Sequence, residues 1–145
     1  MKTRVLVVDD NQDVANSLVR LLNSMGHEAM ACYDGSQAVH EAQDFLPDLM
    51  FIDIGMPGLD GYQTVAKIRG HKECAHAILV ALSGWTSQEF KQRAYEVGFD
   101  LYLAKPMEVD ALTEVLKLLE PDADQTSIPT KIFRTAARLQ MQDAK

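Results

Sequence analysis

The sequence predicts an α/β domain in which five strands and five helices alternate, folded as a doubly wound parallel sheet. Three observations carry this. Short runs such as residues 4–8 (RVLVV), 49–52 (LMFI) and 77–82 (AILVAL) are apolar without polar alternation, as strands covered on both faces require. The stretches between them place apolar residues at helical spacing. The strand-like runs also stop at polar side chains: Asp9-Asp10, Asp53, Ser83 and Lys105.

Residues 4–8 form the first strand. Asn11 or Asp10 can cap the helix that follows, where Val14, Leu18, Leu21, Leu22 and Met25 share a face and Gly26 suits the position after the end. Residues 28–32 (EAMAC) make a weaker second strand. Asp34 caps a helix carrying Ala38, Val39, Ala42 and Leu46, which Pro47 stops. Residues 49–53 are the third strand, followed by a loop with Gly55, Pro57, Gly58 and Gly61. Tyr62, Val65, Ala66 and Ile68 then stripe a short helix ending near Gly70. Residues 77–82 are the fourth strand. A helix from about Ser87 carries Phe90, Ala94 and Val97, with Gly98 beyond it. Residues 101–104 are the fifth strand, and the helix from about Glu108 carries Leu112, Val115, Leu116 and Leu119. Right-handed crossovers leave few arrangements. The flavodoxin-like order 2-1-3-4-5 is one of two common ones and is expected here.

Residues 1–120 therefore read as one domain. Residues 121–130 (PDADQTSIPT) read as a linker, and 131–143 as a loose tail or one more short helix. The chain of 145 residues is long enough for a core without staples, and Cys32 and Cys74 form no disulfide or zinc pattern. His27, His40, His71 and His76 lack ligand spacing and read as surface or loop residues. No apolar run spans a membrane and the N-terminus lacks a signal peptide's apolar stretch, so the expected location is cytoplasmic. The net charge of −7 argues against nucleic-acid binding and suits a metal cation or a basic partner.

All strand ends of a parallel sheet face one edge, so Asp9, Asp10, Asp53, Ser83 and Lys105 share one crevice. The second strand ends in Cys32-Tyr33, and as an edge strand it lies away from that crevice. Three close carboxylates repel and resist ionisation unless a cation is near. Lys105 supplies one charge. A hard divalent ion such as Mg²⁺ is the natural complement. Mg²⁺ and a lysine around a free carboxylate favour phosphoryl transfer, and an ionised Asp needs no base to act as nucleophile. Ser83 can donate to a phosphoryl oxygen.

The motifs VVDD, FIDIGMPGLDG, ALSG and AKP, in this order over residues 4–120, resemble the receiver domain of two-component response regulators. The resemblance implies Asp53 as phosphoacceptor from a phosphohistidine on a sensor histidine kinase or histidine phosphotransfer protein. It implies Asp10, Asp53 and the Gly55 carbonyl as Mg²⁺ ligands, with Asp9 acting through water. Ser83 corresponds to the switch hydroxyl, Lys105 to the phosphate-binding lysine and Tyr102 to the aromatic switch, turning inward on activation. The Lys105-Pro106 bond is expected to be cis. The surface of the fourth helix, fifth strand and fifth helix is expected to be remodelled for a downstream protein partner, and a dimer could form through the same face.

Gly55 carries no side chain where many relatives place a polar or larger one, and Gly84 is also small, leaving room for an incoming imidazole, whereas Trp85 places a large ring nearby. DIGMPGLDGY is similar to receivers at the ends of hybrid histidine kinases and to single-domain relatives, so a phosphorelay or stand-alone receiver is expected. Two alternatives compete. A metal-dependent phosphatase with an aspartyl intermediate would want an acid/base Asp where Gly55 stands. A phosphorylation-independent interaction module would not need the full set of Asp9, Asp10, Asp53, Ser83 and Lys105.

Overall fold

A computed structural model describes residues 3–56, 58–84, 87–119 and, through their backbone, 132–134. The elements run β1 (Arg4–Val8), α1 (Gln12–Ser24), β2 (Glu28–Cys32), α2 (Gly35–Phe45), β3 (Leu49–Asp53), α3 (Gly61–Arg69), a 3₁₀ turn (Lys72–Cys74), β4 (Ile78–Ser83), α4 (Gln88–Val97), β5 (Leu101–Ala104), α5 (Val109–Lys117) and β6 (Ile132–Arg134). The sheet order is β2-β1-β3-β4-β5-β6, parallel throughout except for the antiparallel pair β5–β6.

Capping chemistry sets the helix starts. Val14 N–H donates to the Asn11 side chain and Gln37 N–H to Asp34. At α3 the Asp60 and Gln63 side chains accept from each other's backbone N–H groups, a capping box. After α2 the chain turns at Leu46, a non-glycine at φ 52°, just before Pro47.

Alternation along each strand splits the interior in two. Leu6, Val8, Met50, Ile52, Leu79, Ala81 and Tyr102 pack on the side of α2, α3 and α4. Val5, Val7, Leu49, Phe51, Val80, Leu82, Leu101 and Leu103 pack on the side of α1 and α5. That is why the central strands read as unbroken apolar runs. β2 is only half-buried along most of its length, which accounts for its weak signal.

The segment read as a tail or a helix departs from both expectations at residues 132–134, which form β6. Ile-Phe-Arg is β-branched and aromatic, and an open strand edge outweighed the weak helical spacing around it. The rest of that segment, the linker, Pro57 and Trp85 lie outside the described residues. No helix among the described residues is long and apolar enough to cross a membrane.

Candidate functional site

Register brings the strand ends together. Val8 pairs with Ile52, Asp53 with Leu82, and Ser83 with Ala104. Lys105 N–H donates to Ser83 O at 2.8 Å, which carries Lys105 across beside β4. Asp9 and Asp53 therefore each sit at or one step beyond the end of adjacent strands. One carboxylate oxygen from each of Asp9, Asp10 and Asp53 lies within 4.8 Å of the others. Asp9 is buried, Asp53 is 7% exposed and Asp10 is exposed.

Lys105 reaches into this cluster. Its Nζ lies 3.1 Å from Asp9 Oδ2 and 3.2 Å from Asp53 Oδ2. The other oxygens accept from the backbone: Asn11 N–H donates to Asp9 Oδ1 at 2.9 Å, and Gly55 N–H to Asp53 Oδ1 at 3.1 Å. Burial pushes the Asp53 carboxyl above its ordinary value; Lys105 opposes this, while Asp9 adds to it. Burial alone would push the Lys105 ammonium down, but its hydrogen bond to Asp9 and the charges of Asp53 and Asp9 raise it. The two shifts look contradictory for one ion pair. They agree once the causes are separated: burial and the Asp9 charge outweigh Lys105 at Asp53, whereas two carboxylates, Asp9 and Asp53, hold the one ammonium and outweigh its burial. A divalent cation among oxygen donors would correct the deficit of positive charge at Asp53, and this donor set fits Mg²⁺.

Ser83 is buried, and its hydroxyl hydrogen-bonds the Tyr102 phenol; burial raises the Tyr102 pKa and this bond lowers it. Tyr102 is fully buried. Its ring lies on the α4 side of the sheet, with Tyr62, Phe90 and Tyr95 in or against the same cluster. The Lys105-Pro106 bond is cis. A Cβ at Gly84 would meet nothing within 4 Å, so its smallness answers to no described neighbour. Beside Lys105 a groove of about 620 Å³ opens, lined by Val14, Leu18, Leu21, Leu82 and Met107 among others. Burial pushes the Cys32 thiol up to about 12, with Glu41 and Asp34 adding to it, which suits an inert core thiol.

Gly61 is a residue whose importance the sequence shows only as loop punctuation. A Cβ there would stand 2.6 Å from Ile54 Cα and 2.7 Å from Asp53 O. The first turn of α3 therefore packs backbone-to-backbone against the segment that carries Asp53. We expect Gly61→Ala to cost about 1–3 kcal/mol in urea denaturation, because backbone cannot yield as a flexible side chain would.

A family model for the response regulator receiver domain matches residues 5–117. The chain belongs to that family. Among relatives of this receiver domain, the protein PilG of Pseudomonas aeruginosa is 32% identical over 118 residues, covering 81% of this chain and 87% of PilG. The transcriptional regulatory protein PrrA of Mycobacterium leprae is 37% identical over 116 residues, covering 80% of this chain and 49% of PrrA, so the chain spans about half of that relative. The solved structure of the chemotaxis protein CheY4 of Vibrio cholerae superposes with a TM-score of 0.78 at 28% identity, covering 83% of this chain and all of that one. Receiver domains are phosphoacceptor signalling modules of two-component systems, served by histidine kinases or phosphotransfer proteins, and this chain has that function. They bind Mg²⁺ at an Asp cluster, and Asp9, Asp10 and Asp53 form such a cluster here.

Proposed function

We propose that Asp53 is the phosphoacceptor of this receiver, taking the group from a phosphohistidine. The observation that carries it is the placement of Asp53 at the tip of β3, nearly buried, between the Lys105 ammonium and two further carboxylates. A carboxylate oxygen of Asp53 attacks phosphorus as the N–P bond breaks, and the electron pair returns to the imidazole, which takes a proton from solvent. No base is needed, because the attacking group is already an anion. Lys105 favours the anion, opposing the burial that favours the acid form.

Asp10, Asp53 and the Gly55 carbonyl would hold Mg²⁺, with Asp9 acting through water. The ion would offset charge on the transferring oxygens. Lys105 and Ser83 then bind the new phosphoryl group, and Ser83 passes the change to Tyr102. Gly84 and Pro106 flank the site, and Gly55 and Gly84 leave room for the imidazole. The apolar groove beside Lys105 is a surface on which a protein carrying that imidazole can sit.

Residues 1–120 act as the receiver unit and 121–145 as a linker and tail that supplies β6. The unit is a signalling module in the cytoplasm, with self-phosphorylation and autodephosphorylation as its own chemistry. It contacts neither nucleic acid nor membrane. It works in a phosphorelay or alone, and the α4–β5–α5 face serves a downstream protein or a second copy.

Acetyl phosphate with Mg²⁺ tests the assignment. Intact mass should rise by one phosphoryl group for the unmodified chain and stay unchanged for Asp53→Ala. Phosphorylation of Asp53→Ala to the same extent would refute it, and turnover of unrelated phosphate esters would point to a phosphatase.

A further inference from the structure

β5 ends the run of parallel strands, and its outer backbone groups would otherwise face solvent between α4 and α5. Such an edge is a template for another extended segment. Here it is taken. Ile132 pairs with Leu103, Phe133 with Tyr102, and Arg134 with Leu101, in antiparallel register.

Two further features favour this segment as the occupant. Residues 1–120 hold 18 acidic and 10 basic side chains, whereas residues 121–145 hold 3 acidic and 4 basic, so the segment that supplies β6 is slightly basic and the body acidic. Residues 120–131, which join α5 to β6, can span roughly 40 Å when extended. That is several times the length of the four-residue β5, so pairing within one chain is in reach.

We propose that the outer edge of β5 is a strand-acceptor site whose resident ligand is the chain's own Ile132–Arg134, and that the α4–β5–α5 face stays closed to other proteins while β6 is in place. The site lies on the strand that carries Tyr102, whose phenol meets Ser83, so its occupancy bears on the same residues as the phosphoryl group. That partners read this face rests on the proposed function; the strand addition itself does not.

Hydrogen exchange followed by mass spectrometry on the whole, unphosphorylated chain decides it, independently of Asp53 chemistry. Ladder bonds in an antiparallel pair alternate, so proline at both 132 and 133 removes a β6 donor whichever residue supplies it. In the Ile132→Pro/Phe133→Pro chain, the peptide covering Leu101–Ala104 should exchange roughly tenfold faster or more. Peptides from β1 and β3 should exchange unchanged and so report an intact fold. Should the double proline chain not fold, Ile132→Gly/Phe133→Gly should show the same change at smaller amplitude. Protection of β5 in the unmodified chain should not depend on protein concentration. Equal exchange in the substituted and unmodified chains would overturn the proposal. Loss of protection on dilution would assign the strand to a second copy and overturn the assignment within one chain.

Discussion

Replacing Arg69 by alanine is expected to cost the fold about 3–5 kcal/mol, the usual consequence of stripping one partner from a buried ion pair. Arg69 lies at the end of α3, and its guanidinium works as a staple. Its Nε donates to Gly98 O at 3.0 Å, Nη1 to Ala77 O at 3.0 Å, and Nη2 to Asp100 Oδ2 at 2.7 Å. Leu79 N–H donates to the same Asp100 oxygen at 2.8 Å. The Asp100 carboxylate is wholly buried and the Arg69 side chain 13% exposed, so solvent can replace little of what is lost. The staple joins α3 to the start of β4 and to the turn entering β5. Thermal unfolding should fall by roughly 10–20 °C. Lysine should rescue little, because a single ammonium cannot reproduce the three-way fork. An Arg69→Met/Asp100→Asn chain should lose less than the sum of the single losses, with a coupling of about 0.5–3 kcal/mol. A loss below 1 kcal/mol for Arg69→Ala would show the network to be dispensable.

Asp53→Asn should do the opposite to stability while removing phosphorylation. In the metal-free protein burial outweighs Lys105 and raises the Asp53 pKa. For an acid whose pKa is raised by folding, the folded state binds the proton more tightly than the unfolded chain does. Stability is then greatest below the unfolded pKa, and it falls as pH rises from that value through the folded one. Asparagine removes this penalty. In a chelator the substituted chain should melt above the unmodified one at neutral pH, and the gap should close in acid as pH falls below the unfolded carboxyl range. Lys105 differs in where its effect falls: its raised pKa contributes stability that is fully present at neutral pH and is lost as pH rises from its unfolded value through the folded one. Mg²⁺ should reverse the order of melting. At a hundredfold excess over its dissociation constant an ion stabilises the form it binds by about 2.7 kcal/mol. The asparagine chain, with one anion fewer among its ligands, should gain far less. Equal Mg²⁺ stabilisation of both chains would remove Asp53 from the ligand set.

The sheet and most of the site were legible because their signals are local. β1, β2 and β3 fall where their apolar runs fall, and Asp9, Asp53, Ser83 and Lys105 converge because strand direction alone places them at one edge. What was not legible is non-local. Arg69 and Asp100 are separated by 31 positions, and each alone looks like an ordinary surface charge. Gly61 reads as a turn residue, while its reason is the closeness of α3 to Ile54. The Ser83–Tyr102 contact joins two residues that sequence reasoning treats separately. β6 was hidden because three residues carry too little pattern to outweigh their polar neighbours; only the open edge of β5 gives them a place.

The division of the interior by the sheet has a consequence for how this chain can change. Leu6 and Val7 are neighbours in sequence, yet they belong to separate packing problems on opposite sides of a one-strand-thick wall. Compensation for a substitution at one must come from across its own chamber, from residues such as Val65 or Ile68 for Leu6, and Leu112 or Val115 for Val7. Each half can therefore drift in sequence without renegotiating the other. The carboxylates at the strand tips belong to neither packing cluster, so a change inside one half need not pass through them.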